Sequence, residues 1–155
     1  MALNRFHVVS PLALVAFSAC RSPYLLEEGG AVGGAVINGP LNQALVFLDY
    51  DFDGVLDANE PSARTDEFGK YTLTSTQSNY DLIAIADDQT MDTSSGATFS
   101  GITLKAPSGS DVISPTSTLM KEGGLTADEV AGILGLPGGV DPLNFLTHLI
   151  NICFQ

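Results

Sequence analysis

The segment Asp49-Tyr-Asp-Phe-Asp-Gly-Val-Leu-Asp-Ala-Asn-Glu60 carries carboxylates at its first, third, fifth, ninth and twelfth positions and a glycine at its sixth. Acidic residues that alternate along a tight turn aim their oxygens inward, and the glycine lets the turn close. That is how an EF-hand loop holds Ca2+, a hard cation that takes six to eight oxygens. On this spacing Asp49, Asp51 and Asp53 supply carboxylates, Val55 a backbone carbonyl, Asp57 a ligand directly or through water, and Glu60 a bidentate carboxylate. Mg2+ suits the set less, because it demands a smaller octahedral shell and keeps its waters. Carboxylates that converge repel one another, so cation binding is expected to supply folding energy to this segment. The bland alternative is a solvated acidic turn, which leaves the matching positions to coincidence.

Elsewhere the chain offers little for catalysis. Of its two histidines, His7 lies in the leader and His148 near the C-terminus, so neither stands where it could serve a Ser or Cys nucleophile as base. Glu27-Glu28 and Asp87-Asp88 read as solvated pairs, and neither Gly29-Gly30 nor Gly33-Gly34 leads into a phosphate-binding lysine. Trp is absent, leaving Tyr50, Tyr71 and Tyr80 as platforms for a sugar ring. A non-catalytic protein is expected.

A helical EF-hand needs a helix on each side of its loop, and the flanking residues do not provide them. Ala44 to Leu48 is an apolar run of strand length, and Pro61 blocks a regular exit helix. The loop is therefore expected to clip two strands together. Further strands are expected at Ala35-Val36-Ile37, closed by Asn38-Gly39-Pro40, at Lys70 to Thr74, where polar and apolar residues alternate, and at Asp81 to Ala86. Thr65 to Gly69 reads as a turn and Asp87 to Gly96 as a polar loop, after which Ile102, Leu104 and Ala106 alternate while Phe99 falls on the opposite face. Short strands between turns predict a mainly β protein, an antiparallel β-sandwich. Two helices follow as a small C-terminal appendage covering the core. One starts at Ser114-Pro115 and runs to Lys121; the other starts at the capping box Thr126 to Glu129, buries a face of Val130, Ile133 and Leu134, and stops at Gly135 and Pro137.

The whole chain has 155 residues, 45% of them hydrophobic, which suffices for one core. Its 18 acidic and 6 basic residues give a net charge of -12, which argues against nucleic acid or an anionic membrane surface as partner. The two cysteines, Cys20 and Cys153, lie at opposite ends and indicate no disulfide framework. Arg5, the short apolar run Val8 to Phe17, and Ser18-Ala19 read as a signal peptide over residues 1–19, too short for the roughly 20 apolar residues of a membrane span. Phe17-Ser18-Ala19-Cys20 resembles the lipobox of bacterial lipoproteins, in which the Cys becomes the lipidated first residue; Phe17 departs from the usual Leu. The alternative is an ordinary secretory cleavage nearby that leaves Cys20 a free thiol. Either route leads out of the cytoplasm, with lipid on Cys20 the expected membrane contact.

The segment Ala44 to Ser62 followed by Thr65 to Leu73 resembles the calcium-binding B-type repeats of bacterial surface adhesins, over roughly residues 34 to 105. The resemblance implies a transthyretin-like or carboxypeptidase-regulatory-like β-sandwich, Ig-like in architecture, with an EF-hand-like calcium loop between strands, acting as a rigid non-catalytic spacer. It carries the ligand roles onto Asp49, Asp51, Asp53, Val55, Asp57 and Glu60. The expected organisation is a signal peptide at 1–19, a tether at 20–33, the calcium-binding sandwich at 34–112, a helical segment at 113–136, and a tail at 137–155. That tail reads either as an incomplete C-terminus or as a short helix docked on the sandwich, with Leu146, Leu149, Ile150 and Cys153 at helical spacing. The leading functional expectation is a cell-envelope lipoprotein or secreted module with a structural or adhesive role. The runner-up is a carbohydrate- or protein-binding module, with a surface polysaccharide or protein as partner; the third is an accessory domain of a larger envelope enzyme.

Overall fold

A computed structural model describes residues 30 to 143. The expected signal peptide, Cys20, His148 and Cys153 lie outside the described residues. These residues are mainly β, arranged in three sheets with two helices. One sheet has the order β10-β1-β5, with β1 at Gly30–Val36, β5 at Lys70–Ser75 and β10 at Val112–Ile113. A second has the order β4-β3-β6-β9, with β3 at Leu45–Asp49, β4 at Ser62–Arg64, β6 at Asp81–Ala86 and β9 at Ile102–Pro107. A small third sheet joins β2 at Leu41–Asn42, β7 at Met91–Asp92 and β8 at Ala97–Thr98.

The side-chain period decides which residues reach the core. In β5 the residues Tyr71, Leu73 and Ser75 are buried while Lys70, Thr72 and Thr74 face solvent, as the alternation requires. Strands β3 and β6 sit inside their sheet and are buried on both faces, which is why they read as apolar runs. Their antiparallel register sets Val46 opposite Ala84 and Leu48 opposite Leu82 on one face. These residues share a core cluster with Val36, Leu73 and Ile113 of the first sheet and Leu104 of β9. Each fully buried Val, Leu or Ile contributes roughly 1.5 to 3 kcal/mol.

Three expectations need correction. Strand β1 includes Gly30, the first described residue, and Gly30 to Gly33 pair with Ser75 to Thr72, so these four do not belong to a tether. Glycines suggested a linker, yet at Gly34 a Cβ would lie 2.5 Å from the Asp111 carbonyl oxygen, so close strand approach is what that glycine permits. Second, β1 pairs with β10 in parallel, Ala35 beside Val112 and Val36 beside Ile113, so the strands are not all antiparallel. This pair draws Ile113, assigned by sequence to the helical segment, into the first sheet. Third, Ile133 and Leu134 are 63% and 50% exposed, because Leu134 is the C-cap of a two-turn helix and Val130 with Ala131 carries its buried face.

Helix α1 (Pro115–Gly123) forms where the sequence placed it. Ser114 accepts from the Ser117 N–H in a reciprocal capping box, Pro115 opens the first turn, and Gly124 closes the helix in the left-handed region. The helix lies along β9, an edge strand, and blunts it. Thr118 Oγ1 accepts from the Lys105 N–H at 2.8 Å, and Ser117 Oγ donates to the Lys105 carbonyl at 2.8 Å. Lys105 Nζ also meets Glu122 at 2.7 Å. Helix α2 (Ala127–Ile133) packs against α1 and starts at the expected Thr126 capping box.

Candidate metal centre

Strand β3 delivers Asp49 to the rim of the core, where only 1% of it is exposed. Both of its oxygens organise the loop that follows: Oδ1 accepts from the Phe52 N–H at 2.7 Å and Oδ2 from the Gly54 N–H at 2.8 Å. Further along, Asp51 Oδ1 accepts from the Asp53 N–H at 3.3 Å and Asp53 Oδ1 from the Val55 N–H at 2.7 Å. Glu60, also buried, closes the loop by accepting from the Tyr50 N–H at 2.6 Å and the Asp57 N–H at 3.0 Å. Carboxylates thus replace secondary structure in satisfying the turn's amides.

The bend passes through the left-handed region at Gly54 (φ 80°) and at Phe52 (φ 65°). Glycine adopts this without penalty, while a residue bearing Cβ loses about 1 to 2 kcal/mol. Beyond Pro61 the chain returns as β4, with Leu45 opposite Arg64 and Phe47 opposite Ser62. The loop joins two paired strands, and no helix flanks it.

Oxygens of Asp49, Asp51 and Asp53 lie within 4.8 Å of one another, so these three form a group that can hold a metal ion. Asp57 and Glu60 fall outside that group. Glu60 turns toward the Tyr50 and Asp57 amides, although each carboxylate oxygen keeps a second lone pair when it accepts one hydrogen bond. Val55 is 59% exposed with its N–H on Asp53, and Leu56 is half-buried. Among the described residues, no Lys or Arg pairs with any of the five loop carboxylates. At this spacing, like charges repel by roughly 1 kcal/mol per pair in bulk water and roughly 4 kcal/mol near a protein surface.

Tertiary neighbours that the sequence did not reveal complete the surroundings. Asp81 opens β6 directly opposite Asp49, and Lys121 Nζ from α1 sits 2.6 Å from Asp81 Oδ1. The Tyr50 hydroxyl lies 3.2 Å from Ser75 Oγ and accepts from the Thr76 N–H at 3.1 Å. Burial opposes ionisation of this phenol, but the hydrogen bonds to Ser75 and Thr76 outweigh it and hold its pKa below the ordinary value. Neither contact had a local signal, since each partner arrives from a distant strand or helix.

The aromatic platforms change status in three dimensions. Tyr71 and Tyr80 are buried and Tyr50 is partly buried, with its hydroxyl tied to the end of β5. The Tyr71 hydroxyl has no hydrogen-bond partner among the described residues, and burial pushes its pKa far up. Asp87, expected as a solvated residue, is instead paired with Arg64 at 2.6 Å. No protein-family profile matches the chain, and no curated protein or solved structure is similar to it to a significant degree.

Proposed function

We propose that this protein is a non-catalytic, calcium-stiffened β-sandwich of the cell envelope, with a structural or adhesive role. The observation that carries the reading is the convergence of Asp49, Asp51 and Asp53, none of which forms an ion pair with a Lys or Arg among the described residues. A soft or small cation fits such a set poorly, whereas Ca2+ takes many hard oxygens in a flexible shell. With the ion in place, the loop would clamp β3 to β4 at the rim of a core shared by two sheets. Asp57, Glu60 and the Val55 carbonyl would complete the shell after a local adjustment of the loop. The lipobox-like Phe17 to Cys20 supports an extracytoplasmic site anchored by lipid on Cys20, where calcium is plentiful enough to fill weak sites. The resemblance to adhesin B-type repeats supports the spacer role. A sugar-binding module finds less support, because Tyr71 and Tyr80 present no open ring face.

Melting the chain at increasing calcium, beside an Asp49→Ala, Glu60→Ala variant, tests the proposal. A rising melting temperature in the parent and a flat response in the variant are expected. No shift at millimolar calcium would falsify the reading.

A further inference from the structure

Helix α1 meets the acidic loop at Lys121. Lys121, in its last turn, places Nζ 2.6 Å from Asp81 Oδ1 and 5.9 Å from the centroid of the Phe52 ring. Phe52 belongs to the loop, where its left-handed backbone is held by the bond from its N–H to Asp49 Oδ1. Asp81 stands opposite Asp49 across the β3–β6 pair, and both carboxylates are buried. Like charges directly opposite one another are unfavourable, so a positive charge is needed there. Lys121 meets that need through its ion pair with Asp81, and the Lys105 ammonium, paired with Glu122, adds a weaker attraction to Asp81 and Asp49.

We infer that Lys121 is a positioning residue that couples the acidic loop to helix α1, so that closure of the loop around a cation seats the last turn of the helix. The inference rests on the cation reading above. With the ion absent, repulsion opens the loop, Phe52 moves off the ammonium, and Asp49 competes with Asp81 for Lys121. With the ion bound, Asp49 serves the cation, and Lys121 is committed to Asp81 and the Phe52 ring. The last turn of the helix that blunts the β9 edge is then held more firmly when the loop is closed, while Ser117 and Thr118 keep its first turns on β9.

Hydrogen exchange of the full chain, with and without millimolar calcium chloride, tests this. Calcium should slow exchange over residues 50–60 and also, about two- to fivefold, over residues 119–124. In Lys121→Met the first effect should persist and the second vanish. A slowed loop beside an indifferent helix overturns the coupling, as does a helix slowed equally in Lys121→Met. A loop indifferent to calcium overturns the cation reading instead, and Phe52→Ala in calcium-free buffer then decides the coupling alone. Phe52 is 48% exposed and lies outside the core cluster, so removal of its ring leaves the core intact. Faster exchange at 119–124, about twofold, supports the link, and unchanged exchange sinks it.

Discussion

Two acidic turns flank strand β6, and they solve the same electrostatic problem differently. At its C-terminal end, Asp87 is held by Arg64 at 2.6 Å, accepts from the Gln89 N–H at 3.0 Å, and is followed by Asp92, which accepts from the N–H and hydroxyl of Ser94 and the hydroxyl of Ser95. At its N-terminal end, Asp81 lies beside a loop whose carboxylates accept from backbone amides alone. One turn carries its own positive charge and hydroxyls. The other has the oxygens and the curvature, and its loop carboxylates form no ion pair among the described residues, while Lys121 beside them is paired with Asp81. On the proposed reading, that difference favours an external ion at the loop and none at the other turn.

The comparison breaks most visibly with calcium. At about one hundred times the dissociation constant, calcium should add about 2.7 kcal/mol to the parent chain, raising the melting temperature by roughly 10 to 15 °C, and should do nothing to Asp49→Ala. Calcium should also leave hydrogen exchange around Asp87 to Asp92 unchanged, which separates a site effect from general screening.

The self-sufficient turn should respond to mutation in the absence of any ion. Thr90, almost fully buried, accepts from the Asp87 N–H at 3.0 Å, and Thr90→Val should cost about 1 to 2 kcal/mol in denaturant unfolding by leaving that amide unpaired. Arg64→Met should cost less, at most about 1 kcal/mol, because about a third of each partner's side chain is exposed and solvent screens the pair. Added salt should reduce that penalty further.

The smallest effect is on pH dependence. The Arg64 hydrogen bond holds the Asp87 carboxyl below its ordinary value of 3.8. Burial pushes Asp92 up, but hydrogen bonds from Ser94 and Ser95 outweigh it and leave that carboxyl lowered as well. A carboxyl with a depressed folded-state pKa binds fewer protons folded than unfolded, so its stabilisation is full above 3.8 and fades as pH falls through the folded value. Acid unfolding of Asp92→Asn should therefore show a shallower loss of melting temperature below pH 3.8 than the parent shows.

How much was legible in advance varied with the range of the interaction. The loop Asp49 to Glu60, the strands at Lys70 and Asp81, and the caps at Ser114 and Thr126 were readable, because spacing, alternation and capping act within a few residues. The glycine-rich start of β1 was misread as tether, because its strand character depends on β5 and β10. Thr65 read only as the start of a turn, yet its buried hydroxyl accepts from the Ala44 N–H at 2.9 Å and donates to the Leu41 carbonyl, so it fastens the β2–β3 connection. Leu134 was assigned to a buried helical face that a two-turn helix does not have.

By itself, the sequence determined the acidic loop and the denial of flanking helices, since five carboxylates, Gly54 and Pro61 lie in one continuous stretch. Only the tertiary structure decided which carboxylates meet, because side-chain direction in an irregular loop follows from hydrogen bonds such as those of Asp49 and Glu60. It also decided what surrounds them. Lys121, Asp81 and Ser75 reach the loop through packing and strand register, which no local pattern encodes.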